Sequence, residues 1–533
     1  MPSCVAKDDH QGLLAAEEAV SSRQLSARHS VQFGKVVLGV LLLVAAMAAV
    51  VLGRAPHEAP KAVGSQIAYS ERELSEDEVK ENLIRKAFGG SDFLWSVATS
   101  AYQVEGAWNE GGRSPSIWDT FTHQYRAYKG SNADVACDHY HRYKEDLALI
   151  TEYGFKSYRF SISWTRVMPL VNGTMRANPE GVKFYKNVLA ELKQRGIVAM
   201  VTMFHWDLPE GLDWRNANVV DHFLRYVDFL WTTFPEVNSW ITFNEPFTFC
   251  FMGYKLGLHA PGVQSQHEHL KCGHNVLRAH AFAMQLFRRQ YFRAGLKVGI
   301  VLNYDFPFPK DPKNPHDVDS VEVDAQKRIG WFADPLYKGD YPQVLKDMNG
   351  ENLPSFTLEE KQLLREAVNP VYSFYGLNSY GGRYMEAFHN DSMLPRESFY
   401  KDGQMIGQPF IKAWFYKVPE EILLHLRWVN DRYQPGEIII TENGCSDPGD
   451  NEYGYTVDDW SRISYYRDYL AKVAQAKLEG VPITGYTAWA LMDNFEWGDG
   501  YKRRFGLTYV DFGSLKRTPK KSAWWFKNLM QMK

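Results

Sequence analysis

The sequence predicts an α/β protein built as a single (β/α)8 TIM barrel, and three observations support this prediction. Eight short runs rich in apolar and β-branched residues recur along the chain. Helical patterns such as residues 181–196 and 219–235 lie between them, and this alternation is typical of a parallel sheet. Polar side chains collect at the ends of seven runs, where a barrel carries its functional residues. A doubly wound sheet is the alternative, but it usually has a glycine-rich first turn, and no GxGxxG follows the first run.

The strands are predicted at residues 93–100, 157–163, 197–204, 239–245, 297–303, 373–380, 437–444 and 483–491. The polar residues in or just beyond them are Gln103, Arg159, His205, Asn244, Glu245, Asn378, Tyr380, Glu442, Asn443, Asp493, Asn494 and Glu496. Buried polar groups without partners each cost about 1–3 kcal/mol, so folding alone does not explain this distribution. The fifth strand, which ends at Asn303, is less informative. A helix over residues 75–88 is expected first, because Ser75 is a suitable N-cap and the first turn is acidic.

The segment before the barrel has a different composition. Residues 36–52 contain no polar side chain, and as a helix they would be about 26 Å long, slightly under the ~30 Å hydrocarbon core of a bilayer. We predict a transmembrane signal anchor over residues 36–53. A disordered cytoplasmic tail is expected at residues 1–35, a linker at 54–75 and the barrel domain at 76–533.

Basic residues indicate the orientation of this anchor. Arg23, Arg28 and Lys35 precede the apolar run with no acidic residue among them. The N-terminus should therefore face the cytoplasm, as in a single-pass type II protein whose barrel is lumenal or extracellular. The sequons at Asn172 and Asn390 fit that side of the membrane. A cleaved signal peptide and a secreted protein are the alternative, although the apolar run exceeds the usual ~7–15 residues.

Composition excludes some classes of function. The 60 basic and 63 acidic side chains give no electrostatic reason to expect nucleic acid binding. The aromatic content of 14% suits a large core and also sugar stacking. The five cysteines form no CxxC pair, and a disulfide between Cys250 and Cys272 is one open possibility. The acidic residues 311–324 lack metal-ligand spacing, so we predict a solvated loop there and no metal site.

Two predicted strands end on an acidic residue. The runs SWITFNEPF and EIIITENGC place Glu245 and Glu442 at the ends of strands four and seven. These strands lie three steps apart around the barrel, so the two carboxyl groups should face each other across its mouth. Such a pair suits cleavage of a glycosidic bond, with one proton donor of raised pKa and one ionised nucleophile. Arg159 on strand two could keep one carboxylate ionised, but spacing does not indicate which one.

Several longer motifs extend this interpretation. The segments YRFSISWTRVMP, FHWDLP, TFNEP, ITENG and WALMDNFEWGDGYKRRFGLTYVDF occur in this order within residues 88–531. Over that range the chain resembles family 1 glycoside hydrolases of the β-glucosidase type. The resemblance implies a retaining β-glycosidase that removes terminal non-reducing β-D-glycosyl residues from a β-glucoside or oligosaccharide. Some tolerance for galactose or fucose is expected, and the resemblance implies no metal or organic cofactor.

The resemblance also implies a role for each site residue. Glu245 would be the general acid/base and Glu442 the nucleophile, with their carboxyl groups about 5–5.5 Å apart. The remaining roles are as follows: Asn244 binds the sugar 2-hydroxyl; Arg159 and Tyr380 orient Glu442; Gln103, His205 and Glu496 bind the 3-, 4- and 6-hydroxyls; Trp489 forms the floor; Trp497 adds a contact; and Phe505 supports the wall. Trp206 and Asn443 lie close by, and their role could be only structural.

Alternatives remain within the same fold. A catalytically inactive, membrane-tethered sugar-binding or co-receptor protein would typically lack one of the two acids, and both are present. A thioglucosidase would typically carry Gln at position 245. A 6-phospho-glycosidase would usually replace the acid at Glu496. Ser379 stands where many relatives have Tyr, and Cys445 lies near the expected nucleophile. These two differences leave open which leaving group the enzyme prefers.

Overall fold

The computed structural model of the protein describes residues 74–89, 92–447 and 457–531. The chain separates into residues 1–74 and 75–533, and the barrel belongs to the second unit. The predicted tail, anchor and most of the linker lie outside the described residues. Within the described ranges, no helix is both long enough and apolar enough to cross a bilayer.

Eight parallel strands close into a barrel. They are β1 (Leu94–Ala98), β2 (Ser157–Ser161), β3 (Val198–Phe204), β4 (Ser239–Asn244), β5 (Lys297–Asn303), β6 (Tyr375–Asn378), β7 (Ile438–Asn443) and β8 (Ile483–Trp489). Each strand pairs with the next one along the chain, and β8 pairs with β1. Each observed strand lies within a predicted run, which confirms the barrel. The pairing of first and last strands excludes the doubly wound alternative.

Helices connect the strands and follow the last one. The longer ones are His139–Tyr153, Pro179–Gln194, Val219–Thr233, Glu268–Leu286, Pro315–Lys338, Glu420–Tyr433, Trp460–Leu478 and Lys521–Gln531. Shorter helices are Ala101–Val104, Ile117–His123, Trp164–Val167, Pro246–Tyr254, Gln343–Asn349 and Leu358–Glu366. The predicted first helix is confirmed at Glu76–Phe88 and begins with a capping box between Ser75 and Glu78. Such a cap satisfies backbone N–H groups that lack partners within the helix.

The apolar interior of the barrel leaves room for polar groups at one end. Met200, Ile241, Val301, Phe374 and Ile439 form an apolar cluster of their own. They come from β3, β4, β5, β7 and the residue before β6, so they meet across the inside of the barrel. Three of them lie early in their strands. The carboxyl ends of the strands are therefore available to the polar residues of the site.

The prediction for residues 311–324 was wrong over most of its length. A helix, Pro315–Lys338, begins after Asn314, whose side chain accepts the N–H of His316. Asp317 and Asp324 on this helix are buried and bonded to neighbouring groups. Pro at the first position and a capping Asn are helix-start signals that outweigh the acidic composition. No group of three His, Cys, Asp or Glu able to hold a metal occurs in the part of the chain described here.

A disulfide joins two helices on the outside of β4. Cys250 in Pro246–Tyr254 is bonded to Cys272 in Glu268–Leu286. The pairing that the sequence left open is therefore present. Cys137 and Cys445 are free and buried.

Candidate active site

The two acidic residues lie where the sequence predicts, at the carboxyl ends of two strands that are three steps apart around the barrel. Glu245 follows β4 directly, and Glu442 is the fifth residue of β7. Glu442 pairs in register with Asn378 of β6, and Asn244 pairs with Val301 of β5. Both carboxyl groups are buried, with 8% of Glu245 and 3% of Glu442 exposed. Their chemical difference must therefore come from the groups around them.

Glu442 is held by a cation and a phenol. Nη1 of Arg159 donates to Oε1 of Glu442 at 2.5 Å, and the hydroxyl of Tyr380 donates to Oε2 at 2.6 Å. Arg159 is only 1% exposed. Hydrogen bonds from a guanidinium to a carboxyl oxygen are short and strong. Both oxygens of Glu442 are therefore held in fixed positions.

Arg159 also connects three strands. Arg159 lies on β2, and its Nη2 donates to Oδ1 of Asn244, the last residue of β4, at 2.6 Å. Its Nη1 donates to the carbonyl of Thr441 in β7 at 2.8 Å. The planar guanidinium has a rigid donor geometry. It therefore fixes the position of Asn244 relative to Glu442.

Glu245 has a different environment. Nδ2 of Asn378 donates to its Oε1 at 2.7 Å, and the hydroxyl of Thr248 donates to its Oε2 at 2.9 Å. Burial, followed by the negative charge of Glu442, raises the pKa of Glu245 to about 8. The two hydrogen bonds and the charge of Arg159 oppose this shift. Glu245 is therefore protonated near neutral pH, as a proton donor requires.

Two tryptophans and a histidine form a layered wall. The imidazole of His205 lies nearly parallel to Trp489 and Trp497, with ring centroids 6.0 and 5.9 Å away. Nδ2 of Asn244 lies 3.1 Å from Nε2 of His205. Burial and the charge of Arg159 lower the pKa of His205 well below its usual value. A neutral imidazole can donate one hydrogen bond and accept another, as recognition of a hydroxyl group requires.

Gln103 and Glu496 lie close together in the site. Nε2 of Gln103 donates to the carbonyl of Phe495 at 3.0 Å and approaches Oε2 of Glu496 at 3.4 Å. Burial, Asp499 and the two site carboxylates raise the pKa of Glu496 well above its usual value. All ten residues predicted to act at the site thus make contacts, or have electrostatic effects on one another, at the same end of the barrel.

The three residues predicted to support the site make contacts of that kind. The indole N–H of Trp206 donates to the carbonyl of Asn244 at 2.9 Å. Nδ2 of Asn443 donates to the carbonyl of Ser379 at 2.6 Å. The ring of Phe505 lies edge-on to Tyr380, with centroids 6.1 Å apart.

Sequence reasoning missed two partners of Glu245. Asn378 was located at the end of strand six, but nothing in the sequence links it to Glu245, 133 residues earlier. Thr248 lies three residues after Glu245 on the short helix Pro246–Tyr254. Residues three apart face the same side of a helix, which is the one signal that could have identified Thr248.

Comparison with known proteins agrees with this geometry. The sequence profile of glycosyl hydrolase family 1 matches residues 85–533. β-Glucosidase 42 of Arabidopsis thaliana is 42% identical over 464 residues, which cover 83% of this chain and 94% of the plant protein. A mutant rice β-glucosidase in a covalent complex with Glc from GA4GE has a TM-score of 0.79 and 35% identity, with 84% of this chain and 99% of that one covered. A β-glucosidase from the fungus Humicola insolens in complex with glucose has a TM-score of 0.78 and 39% identity, with 82% and 97% covered. The chain therefore belongs to glycosyl hydrolase family 1 and is a glycoside hydrolase.

Proposed function

We propose that the protein hydrolyses terminal β-D-glucosides with retention of configuration, using Glu245 as general acid/base and Glu442 as nucleophile. The observation that carries this proposal is the contrast between the two buried carboxyl groups. Glu442 is bonded to Arg159 and Tyr380, whereas the pKa of Glu245 is raised to about 8. Retaining glycosidases need one group of each kind.

The reaction would proceed by double displacement. Glu442 attacks the anomeric carbon while Glu245 gives its proton to the leaving oxygen, which forms a glycosyl-enzyme. Glu245, now ionised, takes a proton from water as the water attacks the same carbon and releases Glu442. Two inversions give net retention.

The surrounding residues suit recognition of a neutral sugar. We assign the 2-hydroxyl to Asn244, and the 3-, 4- and 6-hydroxyls to Gln103, His205 and Glu496. The ring would stack on Trp489, with Trp497 as a further contact. Interactions with the 2-hydroxyl matter most, because they strengthen as charge develops on the sugar ring.

Hydrolysis of 4-nitrophenyl β-D-glucoside by the full-length protein tests the proposal. Glu442→Ala should abolish turnover, since it removes the attacking oxygen. Glu437→Ala is a matched control, because Glu437 precedes the same strand at its opposite end and bonds to Thr484. An NMR record of the first product should show the β-anomer. Residual turnover by Glu442→Ala would assign the nucleophile elsewhere.

The other functions weighed from the sequence are outcomes of the same experiment. A folded protein with no turnover of gluco-, galacto-, fuco- or mannosides would favour an inactive sugar-binding or co-receptor protein. Preferential hydrolysis of a thioglucoside or a 6-phosphoglucoside would favour one of the two related enzyme classes. The presence of both Glu245 and Glu496 is the reason we favour neutral O-glucosides.

We further propose that residues 36–53 anchor the enzyme in a membrane with the barrel on the lumenal or extracellular side. This rests on the apolar run and its basic flank. Asn172 and Asn390 are exposed at hairpin turns and would carry glycans there. Extraction of cell membranes at alkaline pH should leave the protein in the pellet, and glycosidase treatment should lower its mass. Release of a shortened protein into the medium would favour the cleaved signal peptide.

A further inference from the structure

Tyr380 lies outside the strand that precedes it. Strand β6 ends at Asn378. The N–H of Ser379 still donates to the carbonyl of Glu442 in β7 at 3.2 Å, but the N–H groups of Tyr380 and Gly381 donate to a side chain instead of a neighbouring strand. The hydroxyl of Tyr380 nevertheless reaches Oε2 of Glu442 at 2.6 Å. Something other than the strand must fix this segment, since a hydroxyl at the end of a long side chain moves whenever its backbone tilts.

One carboxylate oxygen binds the backbone of this segment twice. Oδ1 of Asp305 accepts the N–H of Tyr380 at 2.8 Å and the N–H of Gly381 at 3.1 Å. Asp305 follows β5, the strand adjacent to β6 in the barrel. Its own carbonyl accepts a bond from Nη1 of Arg383 at 2.5 Å. The acceptor is thus itself held by a buried side chain that belongs to the same loop.

Other contacts hold the opposite face of the segment. The hydroxyl of Tyr465 donates to the carbonyl of Tyr380 at 2.5 Å. Nδ2 of Asn443 donates to the carbonyl of Ser379 at 2.6 Å. These bonds all go to carbonyl groups, whereas Asp305 binds the two successive N–H groups of residues 380 and 381.

We propose that Asp305 is a positioning residue for the nucleophile, acting through Tyr380. This inference rests on the proposed function, in which Tyr380 orients Glu442. Loss of both backbone bonds would let the segment tilt and would displace the Tyr380 hydroxyl from Glu442. Misplacement by about 1 Å can cost ~10²-fold in rate. Asp305 itself need not touch the sugar for this effect.

The test compares two aspartates that bind backbone N–H groups. Asp317 accepts the N–H of Ala387 at 2.9 Å and the N–H of Asp311 at 2.9 Å, but has no bond to Tyr380. We expect Asp305→Ala to lower kcat by ~10–100-fold with a smaller change in KM, and to slow formation of the glycosyl-enzyme by a 2-fluoroglucoside. Asp317→Ala should lower the melting temperature without this loss. Asp305→Asn should largely restore kcat, because its amide oxygen accepts the same two bonds.

A double-mutant cycle separates positioning from a general structural effect. If Asp305 acts through the Tyr380 hydroxyl, Asp305→Ala should cost much less in the Tyr380→Phe background than in the wild type. Equal losses in both backgrounds would overturn the inference. So would equal kcat losses in Asp305→Ala and Asp317→Ala.

Two further outcomes are informative. If Asp305→Ala does not fold, Asp305→Glu takes its place, since one added methylene shifts the acceptor; wild-type kcat in that variant would overturn the inference. Absence of turnover by the wild-type protein would instead refute the proposed function, and this inference with it. The two failures are therefore distinguishable.

Discussion

Oε1 of Glu442 lies 2.5 Å from Nη1 of Arg159, and the second terminal nitrogen of Arg159 lies 2.6 Å from Oδ1 of Asn244. One planar side chain thus fixes the proposed nucleophile relative to the amide assigned to the sugar 2-hydroxyl. In the proposed mechanism, both groups would interact most strongly with the reacting sugar as charge develops on it. The two bonds of Arg159 should therefore affect the transition state more than ground-state binding.

Arg159→Lys should lower kcat/KM by ~10²–10³-fold, because an ammonium group cannot reproduce two bonds in fixed directions. Steady-state kinetics on an aryl β-glucoside measures the loss. Arg166→Lys is the matched control, since Arg166 is equally buried and its Nε donates to Glu105 at 2.8 Å. Both variants should lose stability, and only Arg159→Lys should lose activity of this magnitude. A similar kinetic loss in both would contradict a specific role for Arg159.

The pH dependence of kcat/KM should report the proton on Glu245. Because its pKa is about 8, activity should fall as the pH rises through that value and the carboxyl group loses the proton that it must donate. In Glu245→Gln, the residual hydrolysis of an activated aryl glucoside should lack this basic limb. An unchanged limb in that variant would assign the titration to another group.

Asp207 supplies the control for this assignment. Burial raises its pKa to about 8 as well, with Arg113 opposing and Glu105 adding to the shift. Asp207→Asn should therefore keep the basic limb. If Asp207→Asn lost the basic limb and Glu245→Gln kept it, the titrating group would be Asp207 and not Glu245.

Asp207 should also affect stability in a pH-dependent way. An unfolded Asp ionises near pH 4, whereas the folded protein keeps this proton up to about pH 8. The free energy of unfolding should therefore fall as the pH rises between these values. Asp207→Asn removes the titration, so its melting temperature relative to wild type should increase from pH 4 to pH 7. A constant difference across this range would show that the folded carboxyl group is already ionised.

Substrate variation can test the assignment of Glu496 to the sugar 6-hydroxyl. Glu496→Ala should lower kcat/KM for the glucoside by ~10²-fold, a loss typical of removing one hydrogen-bonding group from a buried active site. If Glu496 binds the 6-hydroxyl, the variant should lose far less on the β-xyloside, which lacks that group. Equal losses on both substrates would assign Glu496 to the 4-hydroxyl.

The disulfide should stabilise the helix that follows Glu245. Cys250 and Cys272 are 22 residues apart, and closing a loop of this size contributes ~2–4 kcal/mol. Cys250→Ser combined with Cys272→Ser should lower the free energy of unfolding by about that amount. Denaturant titration with and without reductant provides the measurement. Reductant should destabilise the wild type and leave the double variant unchanged, whereas an equal effect on both would indicate another target of reduction.

Much of the barrel could be predicted because its signals are local. Alternation of apolar runs and helical patterns located all eight strands, and the capping residues located the helix Glu76–Phe88. The same reasoning failed for residues 311–324, where acidic composition was given more weight than Asn314 and Pro315. The contacts of Glu245 with Asn378 could not be predicted, because the two residues are far apart along the chain and no pattern connects them.

The sequence by itself determined the fold and the two acidic residues, since strand periodicity and short motifs are properties of neighbouring residues. The tertiary structure decided how the two carboxyl groups differ. Arg159 and Glu442 are separated by 283 residues, and only closure of the barrel brings them together. The pKa of a carboxyl group depends on burial and on nearby charges in three dimensions. For this reason spacing along the chain left the roles of Glu245 and Glu442 open, and the surroundings of each residue in the folded barrel are what support the roles proposed for them.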